Sequence, residues 1–290
     1  MSTEEGISAP SRQMTIVMKE DALRAHPMPP PPPPPPPTTQ SLEPGSGVTS
    51  EEFLHYGVTL YQAALNGDWD AVKRIWIECP SWICTRITKG GETVLHIAAA
   101  AKDPHLVAEL VNIMDVNSLA LVNKVGNTAL CFAAVSGVVE IAARMVEKHK
   151  GLPNIRGSQG MTPLHMAVLL GRRQMVGYLL RVTDVQQLTD QDLIGLLTSC
   201  IDTDLFEEAL YILQANKHLA LLRDTRNETA LHALARKPLK FGEDQGSIWQ
   251  RCKMQWSNTT QDRSMEPKAA LELAQSLWNE VIKGRRIYQN

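Results

Sequence analysis

Apolar positions along the chain recur on two scales. On the long scale, Leu60, Leu95, Leu130, Leu164, Leu197 and Leu231 lie 35, 35, 34, 33 and 34 residues apart. The text around four of them also repeats: Gly-Glu-Thr-Val-Leu-His-Ile-Ala-Ala at 91 to 99, Gly-Asn-Thr-Ala-Leu-Cys-Phe-Ala-Ala at 126 to 134, Gly-Met-Thr-Pro-Leu-His-Met-Ala-Val at 160 to 168 and Asn-Glu-Thr-Ala-Leu-His-Ala-Leu-Ala at 227 to 235. On the short scale, each leucine is followed by a stretch whose apolar residues step by three and four. Examples are Leu106-Val107-Leu110-Val111, Ile141-Met145-Val146 and Met175-Val176-Leu179-Leu180. Such steps place the apolar side chains on one face of a helix. A fixed period of this length marks a repeat architecture in which each unit is stabilised by its neighbours. The pattern predicts an all-α solenoid of about six helix-turn-helix repeats over residues 51–238.

Each residue type in the repeated text has a physical reason. Thr162 suits a helix N-cap, and Pro163 a first helical residue that needs no donor. Leu164 points into the core, and the alanine pairs let helices approach closely. Gly67, Gly137 and Gly171 end the first helices by accepting positive φ. These lines resemble the ankyrin repeat, whose core reads Gly-x-Thr-Pro-Leu-His-x-Ala-Ala-x-x-Gly. The resemblance implies that Leu60, Leu95, Leu130, Leu164, Leu197 and Leu231, with Thr162, Pro163, Gly171 and the histidines, form a structural signature. Leu60 to Gly67 lacks Thr-Pro and the histidine, as a capping repeat does. The unit around Leu197 is recognisable by spacing and by its second helix alone.

His96, His165 and His232 follow their register leucines, and their recurrence reads as structure rather than catalysis. On successive repeats about 10 Å apart they cannot share a metal ion held at about 2 Å. In the ankyrin resemblance this histidine bonds locally and ties neighbouring turns together. Cys131 replaces it once. Cys79 and Cys84 are five residues apart, not the spacing of a redox pair at a helix start. The glycine-rich stretch 151–160 lacks the Gly-Lys-Ser/Thr ending of a phosphate loop. No nucleophile arrangement, metal-ligand series or cofactor motif is legible, so the expectation is a non-enzymatic protein without cofactor or metal.

Composition enters at the flanks. Twelve of 18 prolines precede position 45, including the unbroken run Pro29 to Pro37. Residues 1–50 read as a disordered Pro-rich arm. Its run, a polyproline II rod of about 28 Å, is the kind of ligand that SH3, WW or profilin-type grooves accept. Residues 239–265 read as an irregular linker, and 266–290 as a C-terminal helix with a basic tail. The helix presents Leu271, Ala274, Leu277, Trp278, Val281 and Ile282 on one face. A net charge of -2 gives no broad footprint for nucleic acid. No run of about 18 apolar residues provides a membrane span. Five cysteines without a secretory signal fit a reducing compartment, and the expected location is the cytoplasm.

Ankyrin-type solenoids line a concave surface with the turn tips and the exposed side of each first helix. In this register the tips carry Lys89, Glu92, Lys124, Val125, Asn127, Ser158, Gln159 and Met161. The helix side carries Ala100, Ala101, Val135, Ser136, Leu169 and Leu170, and repeats five and six add Asp202, Thr203, Arg226, Glu228, Arg236 and Lys237. Val125, Val135, Met161, Leu169 and Leu170 are apolar with no packing reason, so a protein partner is expected to bind there, its identity open. Leu-Tyr-Gln-Ala-Ala-Leu-Asn-Gly-Asp-Trp near the start, residues 222 to 238 and residues 270 to 282 resemble the plant ankyrin proteins of the accelerated-cell-death type. That family implies defence or stress signalling. Its members continue into more repeats and a membrane segment called the PGG domain, before which this chain stops. A nuclear adaptor binding a transcription factor and a substrate-recruiting enzyme fragment are the other readings.

Overall fold

The computed structural model describes residues 49–237 and 265–287. All of them belong to one compact unit, Pro31–Asn290; the other unit, Met1–Pro30, lies outside the described residues, as do Pro29 to Pro37 and all of the expected linker 239–265 except Met265.

Ser50–Glu52 and a π-helical turn at Phe53–Gly57 lead into α1, Val58–Asn66. Helices then alternate: α2 Trp69–Glu78, α3 Val94–Ala101, α4 Pro104–Ile113, α5 Ala129–Ser136, α6 Val139–Lys148, α7 Pro163–Leu169, α8 Arg173–Val182, α9 Asp190–Asp202, α10 Phe206–Ala215, α11 Ala230–Ala235 and α12 Met265–Ile287. The first helices α1, α3, α5, α7, α9 and α11 pack in series, and the second helices α4, α6 and α8 form a parallel outer layer. Leu60, Leu95, Leu130, Leu164 and Leu197 are fully buried, so the long leucine period is the core. Leu231, in the last first-helix, is only half-buried.

The caps follow the sequence closely. Thr162 Oγ1 accepts the backbone N–H of His165 at 3.3 Å, and Asp68 and Asp103 cap α2 and α4 in the same way. Lys148, at the end of α6, donates to the carbonyls of Val111, Asn112 and Met114, which α4 leaves unpaired. Past the first helices α1, α3, α5, α7 and α9 stands a left-handed residue: Gly67, Lys102, Gly137, Gly171 and Asp204. Lys102, at φ 64°, holds a conformation that costs a residue with a Cβ about 1–2 kcal/mol. After the backbone entropy glycine brings is subtracted, Lys102→Gly is expected to stabilise the protein by about 0.5–1 kcal/mol. Thermal or urea unfolding checks this, and a drop in stability would contradict it.

Between repeats the chain forms short hairpin fingers. Ile87 N–H bonds Glu92 O, Asn123 bonds Asn127, Gly157 bonds Met161 and Asp224 bonds Glu228, at 2.8 to 3.0 Å. Apart from an isolated bridge between Val122 and Thr128, no strand pairing occurs among the described residues. The fifth repeat has no finger. Its helix α9 starts at Asp190, seven residues before Leu197, whereas α3, α5, α7 and α11 start one residue before their leucines. A reciprocal cap between Thr189 and Asp192 nucleates this early start.

The end of the stack departs from expectation. α12 packs against α10 and α11, the contacts that a sixth second helix would make, so it completes the last pair after a long insertion. Its buried stripe is Ala270, Leu273, Leu277 and Gly284; Trp278, expected on the packed face, is 54% exposed. Two stripes about 100° apart are both apolar in this helix, and packing selects the one with the smaller side chains. Gly284 lies so close to Leu221 that a Cβ there would meet its Cδ1 at 2.9 Å.

Candidate partner-binding surface

The fingers carry two kinds of residue, which the sequence could not separate. Lys89, Lys124, Val125 and Gln159 are exposed at the tips. Asn127 is not: it is buried, its Oδ1 accepts the Ser158 N–H at 2.7 Å, and its backbone oxygen accepts from His96 Nε2 at 3.0 Å. Asn127 therefore joins three consecutive repeats and serves as a brace rather than an open tip. Glu92, half-buried, accepts from Thr88 and from Asn123 Nδ2, so it braces one finger against the next. The backbone does the same where Lys124 N–H donates to Gly90 O at 2.9 Å.

The histidine ties are fewer than the resemblance implied. His96 Nδ1 accepts the Thr93 N–H at 3.2 Å, which leaves Nε2 as the donor to Asn127. Burial first, then Arg86, lowers its pKa from 6.5 to about 4, against the pull of Asn127 and Glu92. His165 has no such bond across to the next repeat, because the missing fifth finger removes the carbonyl, and its Nδ1 is buried without a hydrogen bond. His232 bonds only within its own cap: its Nδ1 lies 2.7 Å from Thr229 Oγ1 and accepts the Thr229 N–H at 3.4 Å. Cys131 sits 3.6 Å from the Thr128 hydroxyl and makes no hydrogen bond to another repeat, although its Sγ packs against Gly157. In place of the lost finger bonds, Arg156 grips Asp192 with two bonds of 3.0 and 2.7 Å. Burial disfavours the Asp192 charge, but Arg156 and Thr189 outweigh it and hold the carboxyl at about 2.

The helix side of the concave face forms two rows. Counting five residues past each register leucine gives Leu65, Ala100, Val135 and Leu169, then Asp202 and Arg236. Counting six gives Asn66, Ala101, Ser136 and Leu170, then Thr203 and Lys237. Leu65, Leu169 and Leu170 are 42%, 41% and 45% exposed, and Val125 at a fingertip is 59% exposed. Ala100, Ala101, Val135, Ser136, Ser158 and Met161 are half-buried. Leu65 was missed because the first repeat reads as a cap, although its place in the count equals that of Leu169. Exposed apolar side chains so aligned form a patch of the kind that marks interaction sites.

Repeats five and six end this row in a closed ionic network rather than a rim of available charge. Arg226 bonds Asp202 at 3.0 Å and Asp224 at 3.2 Å; Arg236 reaches Glu228 and Asp202; Lys237 pairs with Asp204 at 2.9 Å. Arg226 and Arg236 thus brace α9 against the sixth finger. A shallow cleft of about 380 Å³ lies between α6 and α8 on the outer layer, lined by Ala143, Val146, Glu147, Lys150, Tyr178 and Val182. Among the described residues no cluster of histidine, cysteine or acidic side chains could hold a metal ion. No described helix is long and apolar enough to cross a membrane.

Comparison with known proteins agrees with this geometry. The family model of ankyrin repeats matches residues 60–150 and 95–192. Residues 60–192 are ankyrin repeats. The capped first helices, the fingers and the left-handed row described above are the same units in three dimensions; beyond residue 192 one more finger, closed by Asp224 and Glu228, precedes the capped helix α11. A search of curated proteins gives no match. Among solved structures, a chain from the crystal structure of the yeast ribosomal protein Rps3 in complex with its chaperone Yar1 aligns at 25% identity. It covers 48% of this chain and 97% of that one, with a TM-score of 0.43.

Proposed function

We propose that the chain is a protein–protein interaction scaffold whose ankyrin repeats hold a partner on the concave face. The observation that carries this reading is the apolar row Leu65, Ala100, Val135 and Leu169, with Leu170 and Val125 beside it. Leu65, Leu169, Leu170 and Val125 face solvent where a solenoid has no packing need for them, and the half-buried Ala100 and Val135 connect them. Lys89, Lys124, Ser158, Gln159 and Met161 at the tips complete the surface. Plant defence or stress signalling is the setting that the accelerated-cell-death resemblance supports, with a cytoplasmic location for this chain. The run Pro29 to Pro37 is a second binding element in the same scaffold reading, for a partner with an aromatic groove.

Leu169→Ser with Leu170→Ser is the test. Affinity purification of wild-type and variant chains from the native tissue, quantified side by side, is expected to show partner capture falling at least fivefold. The melting temperature should stay nearly constant because neither leucine is in the core. Equal capture by both chains would remove the concave face as the site.

A further inference from the structure

We propose that the concave surface takes an amphipathic helix carrying acidic residues along one flank, an inference that rests on the scaffold reading above. Four observations lead to it. First, the apolar floor runs through four repeats, from Leu65 to Leu169, before Asp202 interrupts it. Three steps of about 10 Å, the thickness of a helix layer, make a floor of about 30 Å, which a helix of about 20 residues spans.

Second, the fingers beside the floor have little backbone to offer an added strand. Their N–H and C=O groups close their own hairpins, and Lys124 N–H and Ser158 N–H are taken by the neighbouring finger. A strand bound by augmentation would need a free edge. A helix satisfies its own backbone and asks only for an apolar floor.

Third, the dimensions agree. Seven helical residues rise about 10.5 Å, close to one repeat step, so a helix lying along the stack presents one side chain to each repeat every seven residues. Fourth, two exposed cations stand at successive fingertips along one side of that floor. Lys89 and Lys124 are exposed at successive fingertips and have no acidic partner among the described residues, whereas Arg226, Arg236 and Lys237 are consumed in ion pairs. The stem of Lys124 lies over Gly91, where a Cβ would meet its Cγ at 3.1 Å, which steadies the ammonium beside the groove. The matching ligand has apolar residues recurring at seven and Asp or Glu at i and i+7 on the flank that meets the fingers.

The test uses the full chain against a displayed library of randomised 20-residue helical sequences, followed by affinity measurement on the most enriched peptide. Enriched sequences are expected to carry the seven-residue apolar recurrence with acidic residues at i and i+7. Lys89→Glu with Lys124→Glu should weaken the best peptide at least tenfold, and replacing that peptide's two acidic residues by lysine should restore binding to the doubly reversed chain. Failure to enrich any helical sequence, enrichment without acidic excess, or an affinity unmoved by the charge reversal each overturns the inference. Leu169→Ser with Leu170→Ser separates the two readings. If that change abolishes binding while the charge reversal does not, the apolar site stands and the acidic helix falls. If it leaves peptide binding intact, both fall.

Discussion

Leu164→Ala is expected to lower the free energy of unfolding by about 3–5 kcal/mol, the upper part of the range for a buried leucine. Leu164 is fully buried in α7, at the middle of the stack, with repeats packed on both sides. Removing its isobutyl group deletes apolar burial and leaves a cavity that two neighbouring helices cannot close without losing their own register. In a solenoid, stability is the sum of each repeat's own term and its interfaces with its neighbours. A defect in a central repeat weakens two interfaces, and the loss is a large share of the 5–15 kcal/mol a domain holds. Leu231→Ala provides the contrast. That leucine occupies the same place in the count but is half-buried and has no seventh first-helix beyond it in the described stack, so about 1 kcal/mol is expected. Urea titrations of the two variants should give clearly separated midpoints. Equal losses would mean that position in the stack does not govern stability here.

The register leucines, the caps and the turn glycines were legible because each follows from local chemistry repeated several times. A threonine that caps a helix and a leucine that fills a core leave the same trace in repeats two, three and four. What was not legible depends on which neighbour a residue meets. Asn127 looked like an exposed tip because asparagine suits an open turn as well as a bridge. Only the position of Ser158, 31 residues on, makes it a bridge. Arg226 and Arg236 read as a charged rim, and the acids that neutralise them come from Asp202 on α9 as well as from their own finger. The lost fifth finger had a signal in the sequence, since Thr189-x-x-Asp192 is a reciprocal cap. Its spacing from Leu197 placed it outside the repeat pattern, and its second partner, Arg156, belongs to the previous repeat. The packed face of α12 was undecidable from periodicity, because Leu271-Trp278-Ile282 and Ala270-Leu273-Leu277 are both helical stripes. Contact with α10 and with Leu221 decides between them.

Acid should destabilise the solenoid well before its carboxylates titrate. His96 is held neutral in the folded state with a pKa of about 4, against 6.5 when unfolded. Burial is the main cause, and its place as Nε2–H donor to Asn127 needs no charge. Between those two values the unfolded chain binds a proton that the folded chain refuses. Stability is therefore complete above about pH 6.5 and falls as pH drops toward 4. At about 1.4 kcal/mol per pH unit, His96 alone accounts for about 3 kcal/mol across that window. His165, lowered to about 4 chiefly by burial, titrates in the same window. Asp192 does not, because a carboxyl held at about 2 loses its contribution only as pH falls below the ordinary 3.8. His96→Gln separates the proton from the packing. Glutamine three residues after Thr93 can still reach back to the N-cap amide, as in a Thr-x-x-Gln capping box, but it has nothing to protonate. The variant is expected to lose about 1 kcal/mol at pH 7 for the poorer bond to Asn127. Its urea midpoint should then fall much less than the wild-type midpoint between pH 7 and pH 4.5, and His96→Gln with His165→Gln should be flatter still. Parallel declines in wild type and both variants would place the acid sensitivity outside these two histidines.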